Sequence, residues 1–542
     1  MQKRLLQLLR TVQYLQYRQI FWRIIYTFYQ PQVALQVAPF VAASSSVWQN
    51  VVPKTLAIHD ERSAVFLHQS ASIASTQIWN DSRFPKLWLY HLHYFHDLAT
   101  PQSQTKKEIY ARLIARWITE NPAGHGNGWE PYPLSLRIVN WVKWHLQGNK
   151  LSPLVLESLW VQTQYLQKKI EWHLLANHVL ANAKALVFAG VFFSGNKAEA
   201  LLKKGKAVLF AQLDEQILAD GGHFERSPMY HSIILEDLLD LIQLANVYQN
   251  LFSAAELSSL KKNAARMLSW LQCLTHPNGE LAFFNDTTIG EAASLHDLLE
   301  YAKTFNLTPL KDDVHKINLQ ESGFVRLQKK AAVFLMDVGS VAPRYQPGHA
   351  HAETLSFEFS LHGERVLSNS GISTYAPEKQ REHERSTAAH NTVVIDQENS
   401  SEVWAAFRVA RRARCFDVQF QESVQACFVQ ASHDGYRRLK GKPTHTRGIL
   451  LEDHLLSITD TVKGGFQSAQ AYFHFHPGIH VALSHEAVEL ILPSGRHLQL
   501  KWTGARAELS KSEYHRAFGL SEQRHSLMLH FLSAQTKLEF YW

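Results

Sequence analysis

The hydrophobic repeat of this chain changes once, near Ser322, and that change limits the folds that the chain can adopt. Before it, apolar residues recur every three or four positions, as in KEIYARLIARWITE and HSIILEDLLDLIQLANVYQN, which is typical of amphipathic helices. After it, apolar and polar residues alternate, as in TLSFEFSL and AVELILP, which is typical of half-buried strands. Because no helical crossover separates the strand-like segments, we expect antiparallel sheets.

The single change of period predicts a multidomain α + β chain. Its 542 residues exceed what one ordinary hydrophobic core holds. We predict an N-terminal arm over residues 1–45, a helical domain over residues 46–315 and an antiparallel β-sandwich over residues 316–542. Helices of similar length with short connections indicate helical hairpins stacked side by side. A cleft between the two domains is the expected place for a functional site.

The arm has apolar residues at helical spacing, interrupted by Arg10, Arg18 and Arg23. These interruptions argue against the unbroken apolar core of a signal peptide, and no apolar run reaches the length of a membrane span. A basic amphipathic helix either packs on its own protein or lies on a membrane surface. We predict packing, with peripheral membrane contact as the alternative. We expect a cytoplasmic location, at the inner face of the membrane if the arm binds lipid, with the periplasm as the alternative.

The net charge limits the kinds of partner that we expect, and the cysteine content indicates the redox compartment. The net charge of +7 is spread along the chain and suits a polyanionic partner such as an acidic polysaccharide. No basic cluster with a known docking motif is present, so we expect no nucleic-acid partner. The three cysteines are scattered and form neither a disulfide framework nor a Cys-rich zinc site, which fits a reducing compartment.

The first candidate site segment is EWHLLANHVLANAKAL. If the whole segment is helical, His173 and Asn177 are four positions apart and share a face. Asn177 is a polar residue in an otherwise apolar helix. It either makes a hydrogen bond to a neighbouring helix or donates its amide to an oxygen of a substrate.

The second segment is DGGHFERSPMYH. Its Ser227-Pro228 pair is typical of a helix start, with serine as the N-cap and proline at the first helical position. Tyr230 then lies in the first turn, where the helix dipole and the nearby Arg226 should ease deprotonation of its phenol. Tyr230 is therefore a candidate general acid or base, and the alternative is a buried tyrosine that satisfies its hydroxyl.

The third region is the start of the sandwich. In GHAHAETLSFEF, His349 and His351 are two positions apart and point to one face if the segment is a strand. RSTAAHNTVVID adds Arg385 and His390, and the intervening NSGISTY turn contains Asn369. Two histidine-bearing strand entrances with a polar turn between them favour a site over isolated polar residues.

Together these segments resemble the heparinase II/III family of polysaccharide lyases. The resemblance covers roughly residues 80–480 and rests on NHVLANAKAL, DGGHFERSPMYH, GHAHAETLSFEF, VLSNSGISTY and STAAHNTVVID. KLWLYHLHYFHDL and WEPYPLSLRIVNW look like relatives encoded beside bacterial polysaccharide-assembly genes. The resemblance implies an incomplete (α/α) toroid followed by an antiparallel β-sandwich, with the site where the two meet.

The resemblance also implies a chemistry. The family cleaves uronic-acid-containing glycans by β-elimination, which removes a weakly acidic C5 proton beside a carboxylate and protonates the leaving oxygen. Asn177 matches the family's carboxylate neutraliser, Tyr230 its catalytic tyrosine and His349 its catalytic histidine. His178 and Arg226 are further candidates for contacting the substrate carboxylate. Which of Tyr230 and His349 is the base depends on the stereochemistry of the uronate and stays open.

Some family members hold a structural metal beside the site, and the resemblance implies one zinc or calcium ion and no organic cofactor. The matching positions are His351, Asn369 and His390. Asn369 stands where an aspartate is usual, and a neutral amide is a poor zinc ligand. Asp396 or Glu353 is the expected substitute. If no metal binds, His390 belongs to the substrate site. Arg385 is a candidate substrate-binding residue in either case.

Three functions compete at this point. The first is a polysaccharide lyase, which we expect. The second is a uronyl C5-epimerase, which abstracts the same proton without breaking the chain and suits a glycan under construction. The third is a non-catalytic glycan-binding assembly protein, against which the joint presence of Asn177, Tyr230 and His349 argues.

Overall fold

The computed structural model describes residues 2–33, 37–310, 316–483 and 488–542, and its helices are followed by sheets as predicted. The predicted boundary between residues 315 and 316 lies at the edge of segment 311–315, which is outside the described residues. The α-helices are α1 Gln2–Val12, α2 Tyr17–Phe28, α3 Lys86–Tyr94, α4 Lys107–Glu120, α5 Pro131–Leu146, α6 Pro153–Leu166, α7 Asn177–Phe192, α8 Asn196–Gln216, α9 Pro228–Val247, α10 Ala254–Cys273, α11 Leu295–Lys303 and α12 Lys379–Glu384.

Helices α3 to α11 form the incomplete (α/α) toroid, with α7 in its middle. α7 is buried along almost its whole length, because its sequence is dominated by alanine and other apolar residues. α7 and α8 pack too closely for side chains at their contact: a Cβ on Gly190 would lie 2.5 Å from the backbone nitrogen of Leu202. Glycine at this position therefore sets the separation of the two central helices.

A small antiparallel sheet lies between α2 and α3, and the periodicity of the sequence did not predict it. Its strands have three or four residues each, which is too short for an alternating pattern to stand out. The strands are β1 Ile58–Asp60, β2 Ser63–Phe66 and β3 Gln69–Ser72.

The C-terminal domain consists of antiparallel sheets, which confirms the predicted β-sandwich. Its strands are β4 Lys316–Leu319, β5 Phe324–Lys329, β6 Ala332–Asp337, β7 Phe357–Leu361, β8 Glu364–Leu367, β9 Val393–Ile395, β10 Val403–Trp404, β11 Arg408–Val409, β12 Cys415–Glu422, β13 Cys427–His433, β14 Thr444–Leu451, β15 Leu455–Lys463, β16 Ala469–His474, β17 His480–Leu483, β18 Val488–Ile491, β19 His497–Thr503, β20 Ala505–Tyr514, β21 Glu522–Phe531 and β22 Gln535–Tyr541. The sheet orders are β4-β5-β6-β7-β8, β12-β13-β14-β15-β22-β19-β18-β17 and β20-β21-β16-β9, with β10 and β11 as a separate hairpin.

A shared apolar cluster joins the two domains. At the end of α10, Trp270 packs edge-on against Phe324 of β5, with ring centroids 5.7 Å apart. Phe284 packs against the same Phe324 ring. All three side chains are buried, so the helical domain and the sandwich share a core at this point.

The segment between α10 and α11, residues 274–294, runs over the sandwich and is held there by Glu358 of β7. The carboxylate of Glu358 accepts hydrogen bonds from the backbone nitrogen of Phe283 (3.1 Å) and from Arg365 (2.7 Å), and it lies 2.7 Å from His276 Nε2. This segment carries residues of the helical domain into the cleft.

The arm packs on both domains. Arg10 of α1 forms an ion pair with Glu402 of the sandwich, and Arg18 of α2 forms one with Glu215 of the toroid. Among the described residues, no helix combines the length and apolar content needed to cross a bilayer.

Candidate active site

Tyr230 and His349 come from different domains and stack on one another. Tyr230 lies in the first turn of α9, where the Ser227 hydroxyl accepts a hydrogen bond from its backbone nitrogen (3.1 Å), as the N-cap prediction required. His349 lies in the loop before β7. The two ring centroids are 3.8 Å apart at an interplanar angle of 29°. The Tyr230 hydroxyl also lies 3.2 Å from the hydroxyl of Tyr375.

The expectation that Tyr230 is easily deprotonated is wrong. Burial raises the pKa of Tyr230 well above its ordinary value, and the neighbouring Tyr375 acts in the same direction. Arg226 does not oppose this, because its guanidinium donates to the backbone carbonyls of Ser340 and Glu321 in the sandwich. Arg226 therefore links the domains and is not free to contact a substrate, and the phenol of Tyr230 stays protonated near neutral pH.

His349 and His351 are brought together by a loop and not by a strand, contrary to the expectation. The strand begins only at Phe357. Both imidazoles instead contact Asp286: His349 Nδ1 lies 2.8 Å from one carboxylate oxygen, and His351 Nε2 lies 2.7 Å from the other. A shared carboxylate therefore replaces the shared strand face.

Asp286 is a site residue that the sequence analysis missed. The guanidinium of Arg381 in α12 donates to both of its oxygens. Although burial opposes the charge, Arg381 and the two imidazoles hold the pKa of Asp286 well below its usual range. Because the carboxylate is ionised, it accepts Nδ1–H of His349, which leaves Nε2 as the ring nitrogen that can exchange a proton with a substrate. The only sequence signal was an Asn-Asp pair in FFNDTT, which reads as an ordinary turn.

Asn177 and His178 occupy the start of α7. His173 lies before this helix, so the helical face that it was expected to share with Asn177 does not exist. The amide of Asn177 donates to both carboxylate oxygens of Glu225, at 2.9 Å each. His178 Nδ1 lies 3.1 Å from Glu171, and this carboxylate raises the pKa of His178 above its ordinary value even though burial opposes the charge.

Two cavities adjoin these residues. One, of about 140 Å³, is lined by Tyr94, Tyr132, Tyr230 and Tyr375. The other, of about 650 Å³, is more open and is lined by residues that include His178. The ring of Tyr132 lies 4.8 Å from that of His178, so this side chain separates the two spaces.

The charged groups of the smaller cavity pair with one another. They are Lys143 and Lys184 with Asp240, Lys184 with Asp237, and Lys54 with Glu236. This cavity therefore presents neutralised charges and aromatic surfaces to whatever enters it.

Arg385 does not reach the cavities, contrary to the prediction that it binds substrate. Its side chain is fully buried and donates to the carbonyl of Ala350 (2.8 and 3.2 Å) and to that of Ala405 (3.0 Å). Since Ala350 lies between His349 and His351, Arg385 fixes the backbone that carries both histidines.

His390 is likewise buried, and it faces His351 instead of a cavity. His390 Nδ1 lies 2.7 Å from the carbonyl oxygen of Ser386, so this nitrogen donates and Nε2 carries a lone pair. His351 gives its Nε2–H to Asp286, so its Nδ1 also carries a lone pair. These two lone-pair nitrogens lie 3.1 Å apart.

A carboxylate completes this pair of imidazoles. Glu353 Oε2 lies 3.3 Å from His390 Nε2 and has no hydrogen-bond partner among the described residues. One ligand atom each from His351, Glu353 and His390 lies within 4.8 Å of the others. Two neutral imidazoles whose outer nitrogens donate to oxygen, beside an unpartnered carboxylate oxygen, supply three donors of the types that zinc binds.

Asn369, the predicted third ligand, has another role. Its amide donates to the carbonyl of Phe283 (3.0 Å) and accepts from the backbone nitrogen of Asn391 (3.0 Å). Asp396, one expected substitute, accepts from the backbone nitrogens of residues 467 and 468. Glu353 is thus the oxygen donor that fits, because it alone of the three lies beside the imidazoles.

Family models match almost the entire chain. The model described as heparinase II/III N-terminus matches residues 22–313, and the model described as heparinase II/III-like, C-terminal matches residues 313–542. The two matches meet between α11 and β4, where the helical pattern gives way to strands.

Individual relatives are more distant. The chain is 21% identical over 360 residues to a heparin-sulfate lyase of Bacteroides stercoris, covering 62% of this chain and 51% of that protein. It is 24% identical over 380 residues to FtsZ-localized protein C of Caulobacter vibrioides, covering 65% of this chain and 62% of that protein. The chain thus spans about half to three fifths of the length of these curated relatives. A crystal structure of heparinase III has the same fold, with a TM-score of 0.70, 17% identity, and coverage of 85% of this chain and 79% of that one.

Proposed function

The chain belongs to the heparinase II/III family, and we propose that it cleaves a uronic-acid-containing polysaccharide by β-elimination. One observation carries the proposal: the protonated phenol of Tyr230 stacks on an imidazole, His349, whose Nδ1–H is held by the buried carboxylate of Asp286. This arrangement places a proton donor and a proton acceptor side by side at the junction of the two domains.

His349 is the proposed base. With Nδ1–H donated to Asp286, the lone pair on Nε2 accepts the C5 proton of the uronate, and the carboxylate stabilises the imidazolium that forms. Tyr230 is the proposed acid. Its raised pKa keeps the phenol protonated until the glycosidic oxygen departs with the electron pair of the broken C4–O bond.

The substrate carboxylate needs a cation or donor so that the enolate-like intermediate is stabilised. His178 is the proposed partner, because Glu171 favours its protonated form and its ring lines the larger cavity. Lys169 lines the same cavity, with its ammonium 4.6 Å from the centre of the Tyr26 ring. Asn177 contributes when its amide exchanges one Glu225 oxygen for a substrate oxygen.

The substrate class follows from the family and from these charges. The heparin-sulfate lyases among the relatives support a glycosaminoglycan-like chain of alternating uronate and hexosamine. Lys169 and His178 of the larger cavity suit the uronate, although Glu130 and Glu171 line it as well, and the tyrosine rings of the smaller cavity suit an uncharged sugar.

The decisive experiment is incubation with heparosan, heparan sulfate and alginate in deuterated water. A lyase releases unsaturated uronate, followed by its ultraviolet absorbance. An epimerase, the alternative use of the same groups, places deuterium at C5 without shortening the chain. If the protein binds the polysaccharide but causes neither change, a non-catalytic glycan-binding function replaces the lyase proposal.

Two variants separate the roles of base and acid. Tyr230→Phe should abolish cleavage but retain deuterium exchange at C5, because His349 still removes the proton. His349→Ala should abolish both. Loss of exchange in Tyr230→Phe would instead make Tyr230 the base.

We also propose a structural zinc ion held by His351, Glu353 and His390. When bound, it would fix the loop that carries both His349 and His351 and supply a positive charge behind the site. Two imidazole ligands favour zinc over calcium, which prefers oxygen ligands.

A further inference from the structure

The arm is fastened to the protein mainly through polar groups. Besides the Arg10 and Arg18 ion pairs, the Tyr26 hydroxyl donates to the carbonyl of Ile170 (2.7 Å), and Gln19 donates to two backbone carbonyls. The hydroxyl of Thr11 accepts from the indole nitrogen of Trp404 (3.1 Å). An amphipathic helix that covers its own protein normally buries its apolar face, whereas here the inner side carries these polar contacts beside half-buried rings such as those of Trp22 and Tyr26.

The apolar faces of α1 and α2 point away from the protein. On α1, Leu5, Leu9 and Val12 lie at i, i+4 and i+7 and are 57%, 60% and 41% exposed. On α2, Ile20, Ile24 and Phe28 lie at i, i+4 and i+8 and are 40%, 57% and 83% exposed. Other exposed apolar side chains of this surface, which we term the arm face, are Leu6, Leu8, Tyr17, Phe21 and Tyr29.

The charge of the arm has one sign. The first acidic residue of the chain is Asp60, whereas basic residues occur throughout the segment before it. Those basic residues are Lys3, Arg4, Arg10, Arg18, Arg23 and Lys54. Within the described part of the chain, Arg4 and Arg23 are exposed and have no carboxylate within 4.0 Å. Arg23 even lies close enough to Arg408 of β11 for that like charge, together with burial, to lower its pKa.

We propose that the arm face lies on the surface of a membrane that contains anionic lipids. Exposed leucine, isoleucine and phenylalanine side chains would enter the region between headgroups and acyl chains, and the unpaired arginines would meet lipid phosphates. A second copy of this chain is a poorer occupant, because a symmetric contact would bring the same unpaired cations together. The arm is too short and too charged to span the bilayer, so the contact is peripheral.

The test is flotation of the purified chain with lipid vesicles. The protein should float with vesicles of three parts phosphatidylcholine to one part phosphatidylglycerol, and not with phosphatidylcholine alone. Added salt should weaken binding, because it screens the arginines. The double variants Leu9→Asp/Ile24→Asp and Arg4→Glu/Arg23→Glu should each lower the partition coefficient by about tenfold or more.

The matched control is Val424→Asp, which changes a 93% exposed apolar residue of the sandwich and should leave flotation unchanged. Thermal melting followed by circular dichroism shows that each variant is folded before it is compared. Equal flotation with both vesicle types, or flotation with neither, overturns the proposal. A dimer would also overturn the proposal. If light scattering gives twice the mass of the chain, and only the Leu9→Asp/Ile24→Asp variant returns to the mass of one chain, the arm face is a dimer contact.

Discussion

Asp286 determines the protonation of the site, because each of its oxygens accepts a hydrogen bond from one histidine and from Arg381. Asp286→Asn keeps the size of the side chain but removes the charge that holds Nδ1–H of His349. We expect the turnover rate to fall by about 10²- to 10⁴-fold, with a smaller change in KM, because the imidazole loses its favoured tautomer. The measurement is the initial rate of unsaturated uronate formation across pH.

Asp396→Asn is the control for that variant, since Asp396 only accepts hydrogen bonds in a turn of the sandwich. A merely structural role for Asp286 would lower the melting temperature and leave the pH profile of the remaining activity unchanged. Such a result would remove Asp286 from the proposed mechanism.

Glu171 sets the charge of His178, and this gives a prediction about pH. Since the folded-state pKa of His178 is raised, its charged form persists above the ordinary pKa and is lost as pH rises through the raised value. Glu171→Gln removes the main cause of that rise. If the charged His178 neutralises the substrate, the alkaline side of the kcat/KM profile should move to lower pH.

The charged form of His178 also stabilises the folded protein. This contribution is fully present at pH values below the unfolded-state pKa, and it is lost as pH rises through the folded-state pKa. The direct measurement is an NMR titration of the His178 ring in the parent chain and in Glu171→Gln. Glu108→Gln, at an exposed carboxylate of α4, is the control and should not move the profile. An unchanged titration of His178 in Glu171→Gln would contradict the assignment.

Glu353 gives a prediction about metal content. The parent chain, purified without chelator, should contain about one zinc ion per chain by elemental analysis, and Glu353→Gln and His390→Ala should contain much less. Asn369→Ser should retain the ion, because the Asn369 amide is occupied by backbone groups. A parent chain without metal would contradict the zinc proposal. Glu353 would then carry a proton that it shares with His390, because burial raises the pKa of Glu353.

At the scale of elements, the start of α9 connects helix stability to the site. Ser227 Oγ accepts from the backbone of Tyr230 and donates to the carbonyl of Asp286, so one hydroxyl positions both. Ser227→Ala should lower the free energy of unfolding by about 0.5–2 kcal/mol and also lower kcat, because Tyr230 and the Asp286 loop lose a common anchor. Urea unfolding and initial rates measure the two effects.

Ser253→Ala is the matched control, because Ser253 caps α10 in the same way but is exposed and bonds Glu256 of its own helix instead of a site residue. It should cost similar stability and leave kcat unchanged. Equal losses of kcat in the two variants would show that the effect of Ser227→Ala is only global destabilisation.

The elements that could be predicted are those whose signal is local. The Ser-Pro pair set the start of α9, and the change of period separated the helices from the antiparallel sheets. The strands β1 to β3 were missed, because a strand of three or four residues carries no measurable period. The loop before β7 was read as a strand, because HAHAE alternates. Its backbone is instead held by Arg385, which donates to the carbonyl of Ala350, and by the backbone nitrogen of Asp286, which donates to the carbonyl of His349 (3.0 Å).

Site residues could be predicted where a local motif identifies them, and could not be predicted where their role depends on a partner that is distant in sequence. Tyr230 and His349 meet as the resemblance implied. Arg226 and Arg385 were assigned to substrate because an arginine near a site is a natural anion partner. Their actual acceptors are backbone carbonyls far away in sequence, and Asp286 joins the site through the same kind of long-range contact.

At the scale of the whole molecule, the two domains are joined by the buried carboxylate of Glu358. It contacts His276 of the linking segment and Arg365 of the sandwich, and all three side chains are fully buried. Removing one partner of such a group leaves an uncompensated buried charge, which typically costs about 3–5 kcal/mol. We expect Glu358→Gln to cost less than that, because Arg365 keeps its ion pair with Glu280 (3.3 Å), and to loosen the helical domain from the sandwich, because the linking segment loses the charged acceptor of Phe283 and His276.

Glu358 also makes the stability of the folded protein depend on pH. Although burial opposes its charge, Arg365 and His276 lower the pKa of Glu358 to about 2 in the folded chain. Its stabilising contribution is therefore present above the unfolded-state value, about 4.3, and lost as pH falls toward 2. Urea unfolding from pH 7 down to pH 3 should show the parent chain losing stability more steeply than Glu358→Gln.

Glu489→Gln is the matched control, because Glu489 also lies 2.7 Å from a histidine, His497, but is exposed. It should change stability by less than about 1 kcal/mol. Two measurements distinguish loosening from simple destabilisation: hydrogen exchange of the backbone amides of residues 274–294, and far-ultraviolet circular dichroism, which is dominated by the helices. In Glu358→Gln these amides should exchange faster under conditions in which the helical signal is unchanged. Unchanged exchange would mean that the shared core around Trp270, and not Glu358, holds the domains together.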